Sequence, residues 1–218
     1  MENYNMFAPE GKPMLFKLGL ITILAGFLAY YYSETVLSII FLVLAGLLFF
    51  CLNFFRDPQR EGPSNQNAVV SPADGKIVKI VKIDDPEVGP EATLISIFLN
   101  VFNVHTNRMP IGGKFISSEH HDGKFLAAFD HKASEVNEQT VTIFENKYGT
   151  FKIKQIAGLI ARRILCYARP GSEMERGSRL GYIMFGSRTD LILPANINVK
   201  VKLGQKVCGK QTIIGEIS

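Results

Sequence analysis

Two apolar runs near the start of this chain constrain its fold more than any other feature. They are MLFKLGLITILAGFLAYYY, residues 14–32, and VLSIIFLVLAGLLFFCLNFF, residues 36–55. The first carries one charge, Lys17, and the second none. Each has about 20 residues, the length at which an α-helix crosses the hydrocarbon layer of a bilayer. Only Ser33, Glu34 and Thr35 lie between them, so residues 1–55 read as a helical membrane-anchor hairpin. Tyr30, Tyr31 and Tyr32 close the first run, where aromatic rings favour the membrane–water interface. Lys12 and Lys17 flank the entry, Arg56 and Arg60 follow the exit, and the link has no Lys or Arg. The positive-inside rule then puts both ends, and the bulk of the protein, on the cytoplasmic side of the cell membrane. A cleaved signal peptide fits poorly, because two runs occur with no small-residue cleavage site between them. A buried helical hairpin of a soluble protein is the alternative.

The remainder, residues 56–218, is large enough for one domain with its own core. It opens on RDPQREGPSNQNAV (56–69), polar and broken by two Pro and a Gly, which reads as a linker. After it the pattern is β-rich. AVVSPADGKIVKIVKI has β-branched runs on either side of an Asp-Gly turn signal. TLISIFLNVFNVH (93–105) is a long apolar run of strand type, buried on both faces. QTVTIFENKYGTFKIKQIAG predicts two strands joined over Asn146 to Gly149. NVKVKLGQKV (198–207) alternates, with Val199, Val201 and Leu203 on one face. QIAGLIARRIL (155–165) suits helix or strand, and its Ile content favours strand. The expected fold is mostly β: a single β-rich domain, partly of barrel-sandwich type, behind a two-helix hairpin.

Composition excludes several functions. The net charge of +4 is a mild excess, and no Lys/Arg cluster is interleaved with aromatics, so nucleic acid is not an expected partner. Cys51, Cys166 and Cys208 are scattered and odd in number, which argues for a reducing compartment without disulfides. His120, His121 and His131 lie in polar segments, and no ligand spacing points to a metal. GxGxxG, P-loop and GxSxG motifs are missing, and RGSRLG (176–181) reads as a turn.

The residues with chemistry to offer are few. In GYIMFGSRTDLILP (181–194), Gly186-Ser187 stands between two apolar strands. It is either an ordinary Gly-Ser turn or a bond placed to react. The second reading needs a base near the Ser187 hydroxyl and donors near the Gly186 carbonyl oxygen. His105, in NVFNVHTNRMP, ends the long apolar run beside Thr106, Asn107 and Arg108. It is either a satisfied strand-end histidine or a group that titrates near neutral pH at a pocket rim. Asp74, in SPADGK, is either a turn residue or a buried carboxylate that orients a histidine.

Taken in order, SPADG, FNVHTNRMP, ASEVNE (133–138), QIAGLIARRI and FGSRTDLILP resemble the short bacterial and archaeal phosphatidylserine decarboxylases. The resemblance covers residues 56 to 218, and the two-span N-terminus looks like that family's membrane anchor. It implies a pyruvoyl enzyme made as a proenzyme that cuts itself at Gly186-Ser187. Ser187 would then become the covalent pyruvoyl cofactor. Residues 1–186 would form the β chain and residues 187–218 the α chain, held together as a heterodimer. Asp74 matches the family's motif aspartate, and His105 the histidine five residues before the motif proline, here Pro110. Longer members carry a second histidine three residues on, where this chain has Arg108. Two assignments follow: His105 serves both cleavage and decarboxylation, or Asp74 acts in cleavage with little help.

The implied reaction converts phosphatidylserine in the membrane to phosphatidylethanolamine and CO2, a step of phospholipid biosynthesis. The ketone would take the substrate amine as a Schiff base and accept electrons as CO2 leaves. His105 would return a proton to the α-carbon, and Arg188 or Arg108 would hold the phosphate or carboxylate. Archaetidylserine is the alternative substrate. A different class of function is a non-enzymatic carrier or adaptor domain, since SPADGKIVKI and LGQKVCGKQTIIGEI have the cadence of biotinyl or lipoyl hammerhead domains. The acceptor-lysine motif of such domains is missing. A higher oligomer is open.

Overall fold

A computed structural model describes residues 6–123, 136–158, 163–184 and 187–217. The chain divides into two compact units, residues 1–59 and 60–218. In the first, a short turn at Pro9–Gly11 leads into α1, Lys12–Tyr32, and α2, Thr35–Phe54. At 1.5 Å per residue each helix is about 30 Å long, the thickness of a hydrocarbon layer. α1 stops at Ser33, whose left-handed backbone (φ 53°) still lets its N–H reach the Ala29 carbonyl. Gly26 leaves room for the Phe41 ring of the other helix, 3.0 Å from where a Cβ would stand. The two ends of the hairpin meet: the Ala8 N–H donates to the Phe55 carbonyl at 2.7 Å, and the Asp57 N–H to that of Met6 at 2.9 Å. Phe16, Ile23 and Phe49 are each more than 70% exposed. Helices apolar on all sides with such groups uncovered are poor water-soluble elements and good bilayer ones. Both are long and apolar enough to cross a membrane, which points to membrane association.

The second unit is mostly β. Its first seven strands among the described residues are β1 (Ala68–Val70), β2 (Gly75–Asp85), β3 (Gly89–Leu99), β4 (Thr106–Arg108), β5 (Gly113–His121), β6 (Gln139–Asn146) and β7 (Gly149–Ala157). The other seven are β8 (Ile164–Cys166), β9 (Glu173–Met174), β10 (Arg179–Ile183), β11 (Ser187–Leu193), β12 (Ile197–Val199), β13 (Lys206–Val207) and β14 (Ile213–Ile217). Eight of them form one sheet in the order β13-β2-β3-β11-β7-β6-β5-β9, which curls into a half-barrel. Two three-stranded sheets, β1-β14-β12 and β4-β10-β8, complete the unit. This agrees with the mostly β, partly barrel-like expectation.

The core follows from period-two alternation. Ile95, Ile97 and Leu99 of β3, Leu191 and Leu193 of β11, and Phe151 and Ile153 of β7 all enter one apolar cluster. Each such buried side chain contributes about 1.5–3 kcal/mol. β11 is buried along its whole length, the polar Ser187, Arg188, Thr189 and Asp190 included.

Three segments refine the sequence reading. The 93–105 run is strand only to Leu99. Asn100 and Asn103 then cap a turn: the Asn103 side chain accepts the Asn100 N–H at 2.9 Å, and the Asn100 side chain accepts that of Phe102 at 2.9 Å. The alternation over 198–207 does not make one strand. β12 ends at Val199, and Leu203 is 68% exposed in the turn before β13. The 155–165 segment is strand at both described ends, in β7 and β8, and residues 159–162 lie outside the described residues. The hairpin over Asn146 to Gly149 is present, with Asn146 paired to Gly149.

Candidate active site

Ser187 opens β11 in the middle of the eight-stranded sheet, with Leu99 of β3 on one side and Ala157 of β7 on the other. It is fully buried, and its hydroxyl has no hydrogen-bond partner among the described residues. A buried hydroxyl left in that state costs about 1–3 kcal/mol, so it calls for an explanation. Gly186 lies outside the described residues.

The Ser187 pairing also locates His105. From Leu99 the chain makes the Asn100–Asn103 turn and re-enters as β4, which pairs with β10 at Thr106–Tyr182. The Ile183 N–H donates to the His105 carbonyl at 3.3 Å. Leu99 is thus paired with Ser187 itself, and six residues later His105 is bonded to Ile183, four residues before Ser187. The chain on both sides of Gly186 is held by one short excursion. His105 is fully buried, and its Nδ1 lies 2.9 Å from the Asn103 carbonyl oxygen. A carbonyl only accepts, so Nδ1 carries a proton, and in the neutral form of the ring the lone pair is then at Nε2. The Tyr182 ring lies 6.4 Å away. Asn107 joins the two segments again: its amide donates to the His105 carbonyl at 3.3 Å, and its Oδ1 accepts the Thr189 hydroxyl at 2.8 Å. Thr189 is on the same face of β11 as Ser187.

Asp74 precedes Gly75, the first residue of β2, and Lys76 pairs with Phe98. Its row is therefore next to Leu99 and two strands from Ser187, about 10 Å across the sheet. The carboxylate is tightly held. Both of its oxygens accept from the Arg60 guanidinium, Oδ2 at 2.8 Å, and Oδ1 also accepts the Gly209 N–H at 2.8 Å. Neither His105 nor Ser187 is among its hydrogen-bond partners in the described residues. The SPADG segment nevertheless abuts the histidine segment, because the Arg108 N–H donates to the Pro72 carbonyl at 2.8 Å.

The two candidate substrate-binding arginines are both buried. Arg188 points to the sheet face opposite Ser187 and forks onto Asp190, Nε to Oδ1 at 2.7 Å and Nη2 to Oδ2 at 3.1 Å. Its Nη2 also donates to the Ser96 hydroxyl at 2.6 Å. Arg108 reaches the Gly177 carbonyl with Nη1 at 3.3 Å. The structure therefore puts Ser187, Thr189 and the Asn107 side chain that meets Thr189 on one side of β11, ties the His105 backbone to Asn107, and keeps the Arg188 fork on the other side.

Three site residues were not legible in the sequence. Arg60 read as a membrane-flanking charge. Gln155, the cross-strand partner of Thr189, is fully buried with neither carboxamide atom hydrogen-bonded among the described residues. The Thr106 hydroxyl is buried in the same state. A Gln in an apolar run was the available signal for the second.

Comparison with known proteins gives the family. The family described as phosphatidylserine decarboxylase matches residues 47–215. The chain belongs to that family, and is an enzyme of its type. A phosphatidylserine decarboxylase proenzyme of Chlorobium limicola is 40% identical over 209 residues, 96% of this chain and 99% of that protein. Proteins of the same name from Chlorobaculum parvum and Burkholderia cenocepacia are 45% and 48% identical over 170 and 172 residues, each 78% of this chain. The carrier-domain alternative gives way to this match.

Proposed function

We propose that this chain is a self-processing, pyruvoyl-dependent phosphatidylserine decarboxylase, cut between Gly186 and Ser187. The observation that carries the reading is the buried Ser187 hydroxyl at the head of a central strand, without a hydrogen-bond partner among the described residues, with the His105 backbone bonded to Ile183 four residues before it. In maturation, the Ser187 oxygen attacks the Gly186 carbonyl carbon and the C–N bond breaks, leaving an ester and a free amine. Loss of the Ser187 α-proton expels the Gly186 carboxylate and leaves a dehydroalanine. Water then replaces its nitrogen, giving ammonia and the pyruvoyl group. His105, with its lone pair at Nε2, is the base for the Ser187 hydroxyl, and Asp74 serves cleavage without touching Ser187.

The residues present suit that group, since a buried hydroxyl with no hydrogen-bond partner among the described residues stands where it would form. The pyruvoyl ketone supplies an electron sink for the pair released as CO2 departs. The chain's own residues do the rest. His105 carries the proton delivered to the α-carbon, and burial around it excludes bulk water. Gln155 and Thr106, whose side chains have no hydrogen-bond partner among the described residues, offer donors and acceptors toward a zwitterionic headgroup. Arg108 is the candidate for the substrate's negative groups, and Arg188, forked onto Asp190, acts by holding β11. The hairpin keeps the protein at the cytoplasmic side of the cell membrane, where the acyl tails of the substrate stay in the bilayer. The mature form is a heterodimer of residues 1–186 and 187–218. Denaturing mass analysis of purified protein tests this: two chains, the smaller with a ketone in place of an amine at its N-terminus, together with CO2 release from phosphatidylserine. Active protein that is one intact chain refutes it.

A further inference from the structure

We infer that Arg60 is a positioning residue for self-cleavage, acting through Asp74; the inference rests on the self-processing reading above. In sequence, Arg56 and Arg60 are equivalent, two cations that follow an apolar span. In the structure they are not. Arg56 bonds to the Asn53 carbonyl and side chain, 15 residues before the first motif begins at Ser71. Arg60 lies in the β-rich unit and grips the motif aspartate with two guanidinium nitrogens. The two side chains are 13% and 10% exposed. A forked, charge-assisted pair of this kind fixes direction as well as charge, which a lysine cannot copy.

The fork also spans the cut. Nη1 of Arg60 donates to the Gly209 carbonyl at 3.2 Å, while the Gly209 N–H donates to Asp74 at 2.8 Å. Arg60 and Asp74 precede Ser187 and Gly209 follows it, so one closed set of bonds joins the future β and α chains. The turn around Gly209 is fastened to the same motif from its other side, by the Lys210 N–H on the Ser71 carbonyl and the Ser71 N–H on that of Thr212. Asp74 in turn adjoins Gly75, whose close approach to Phe98 sets β2 against β3, the strand that pairs with Ser187. The Asp74 carboxylate bonds to neither Ser187 nor His105 among the described residues. Its contribution to cleavage is therefore to hold this corner of the sheet in place, and Arg60 is the group that holds the carboxylate. The linker behind the membrane anchor is thus part of the processing machinery.

The test is self-cleavage of the full-length chain during cell-free synthesis, followed as the uncut fraction on a denaturing gel. Arg60→Ala is expected to slow cleavage about tenfold or more, the loss typical of a charge-assisted hydrogen-bonded partner. Arg56→Ala is expected to cleave as wild type. Guanidinium ion, added well below denaturing concentration, should partly restore Arg60→Ala. The double variant Arg60→Ala with Asp74→Ala should be no slower than Asp74→Ala alone. Wild-type cleavage by Arg60→Ala overturns the inference. So does a slow Arg60→Ala without guanidinium rescue whose effect adds to that of Asp74→Ala. If Arg60→Ala does not fold, Arg60→Lys decides: a folded, slow variant supports the inference, and a wild-type rate overturns it. A wild-type chain that is never cut removes the self-processing reading and this inference with it. A cut wild type beside an unaffected Arg60→Ala removes the inference alone.

Discussion

Substituting Gly75 by Ala separates backbone geometry from side-chain chemistry at the site. A Cβ at Gly75 would stand 2.2 Å from the Phe98 carbonyl oxygen and 2.9 Å from its carbon and from Ile97 Cγ2. Ordinary contact to such an oxygen is more than 3 Å, so β2 and β3 must part by roughly 1 Å. The backbone there has φ +155°, a region that costs a residue with a Cβ about 1–3 kcal/mol. Clash and strain together exceed about 3 kcal/mol, a severe substitution. The displacement falls one strand from Ser187, because Phe98 and Leu99 pair with Arg188 and Ser187. A misplacement of about 1 Å at a reacting centre lowers rate on the order of 100-fold. Gly75→Ala should therefore leave the chain largely uncut over a time in which wild type is processed. Gly89→Ala is the control: φ is +115°, but nothing lies within 4 Å of the added carbon. It carries strain without clash, far along the hairpin, and should cleave normally. Both are read by the uncut fraction on a denaturing gel. Wild-type processing by Gly75→Ala, or equal slowing by Gly89→Ala, would refute the reasoning.

Other substitutions probe separate links. Ser187→Ala should remain full length and give no CO2, and Ser187→Cys or Thr should cut slowly; mass analysis of the purified chains decides. His105→Ala should abolish decarboxylation whatever its cut fraction, because α-carbon protonation needs an acid near neutral pH; a processed variant with near wild-type CO2 release removes His105 from the site. Asp190→Asn leaves the buried Arg188 guanidinium short of its counter-ion and should destabilise the β-rich unit by about 3–5 kcal/mol; an unchanged denaturant midpoint would show that the pair contributes little. Deleting residues 1–55 should release the protein from membranes while self-cleavage continues, since Arg60 and every motif lie beyond the deletion; extraction of the intact chain by carbonate without detergent would contradict the spanning hairpin.

The sequence carried the features that depend on local pattern. The hairpin was legible because two runs had the length and composition of spans. The Asn146–Gly149 turn was legible because alternating residues flank it. Where the reading fell short, non-local contacts decide. Leu203 follows the alternation of Val199 and Val201 yet sits in a turn, because among the described residues the pairing of β12 with β14 ends at Val199. The 93–105 run stays apolar after Leu99, but two Asn side chains close a turn in it and so create the step that carries His105. Arg60 and Asp74 are separated by a linker whose composition says only that it is polar. Gln155 lies in a buried strand, and only the fold reveals that its amide has no hydrogen-bond partner among the described residues. The motif resemblance named Ser187, His105 and Asp74, but not the bonds that fix them.

Ser187 heads a strand whose two neighbours both precede it in the chain, and the residues after it supply β11, β12, β13 and β14, spread over two sheets. Folding must thread this tail into the middle of a sheet while the chain is still continuous. Were the bond before Ser187 cut as proposed, the loop closure that makes the insertion cheap would be lost. A matured molecule that unfolds would then have to recruit a free 32-residue strand set from solution into a central slot. Its working life would be governed by its unfolding rate and not by an equilibrium with the unfolded chain. Heating and cooling should let molecules caught before the cut refold and go on to mature, and should not restore activity to those caught after it.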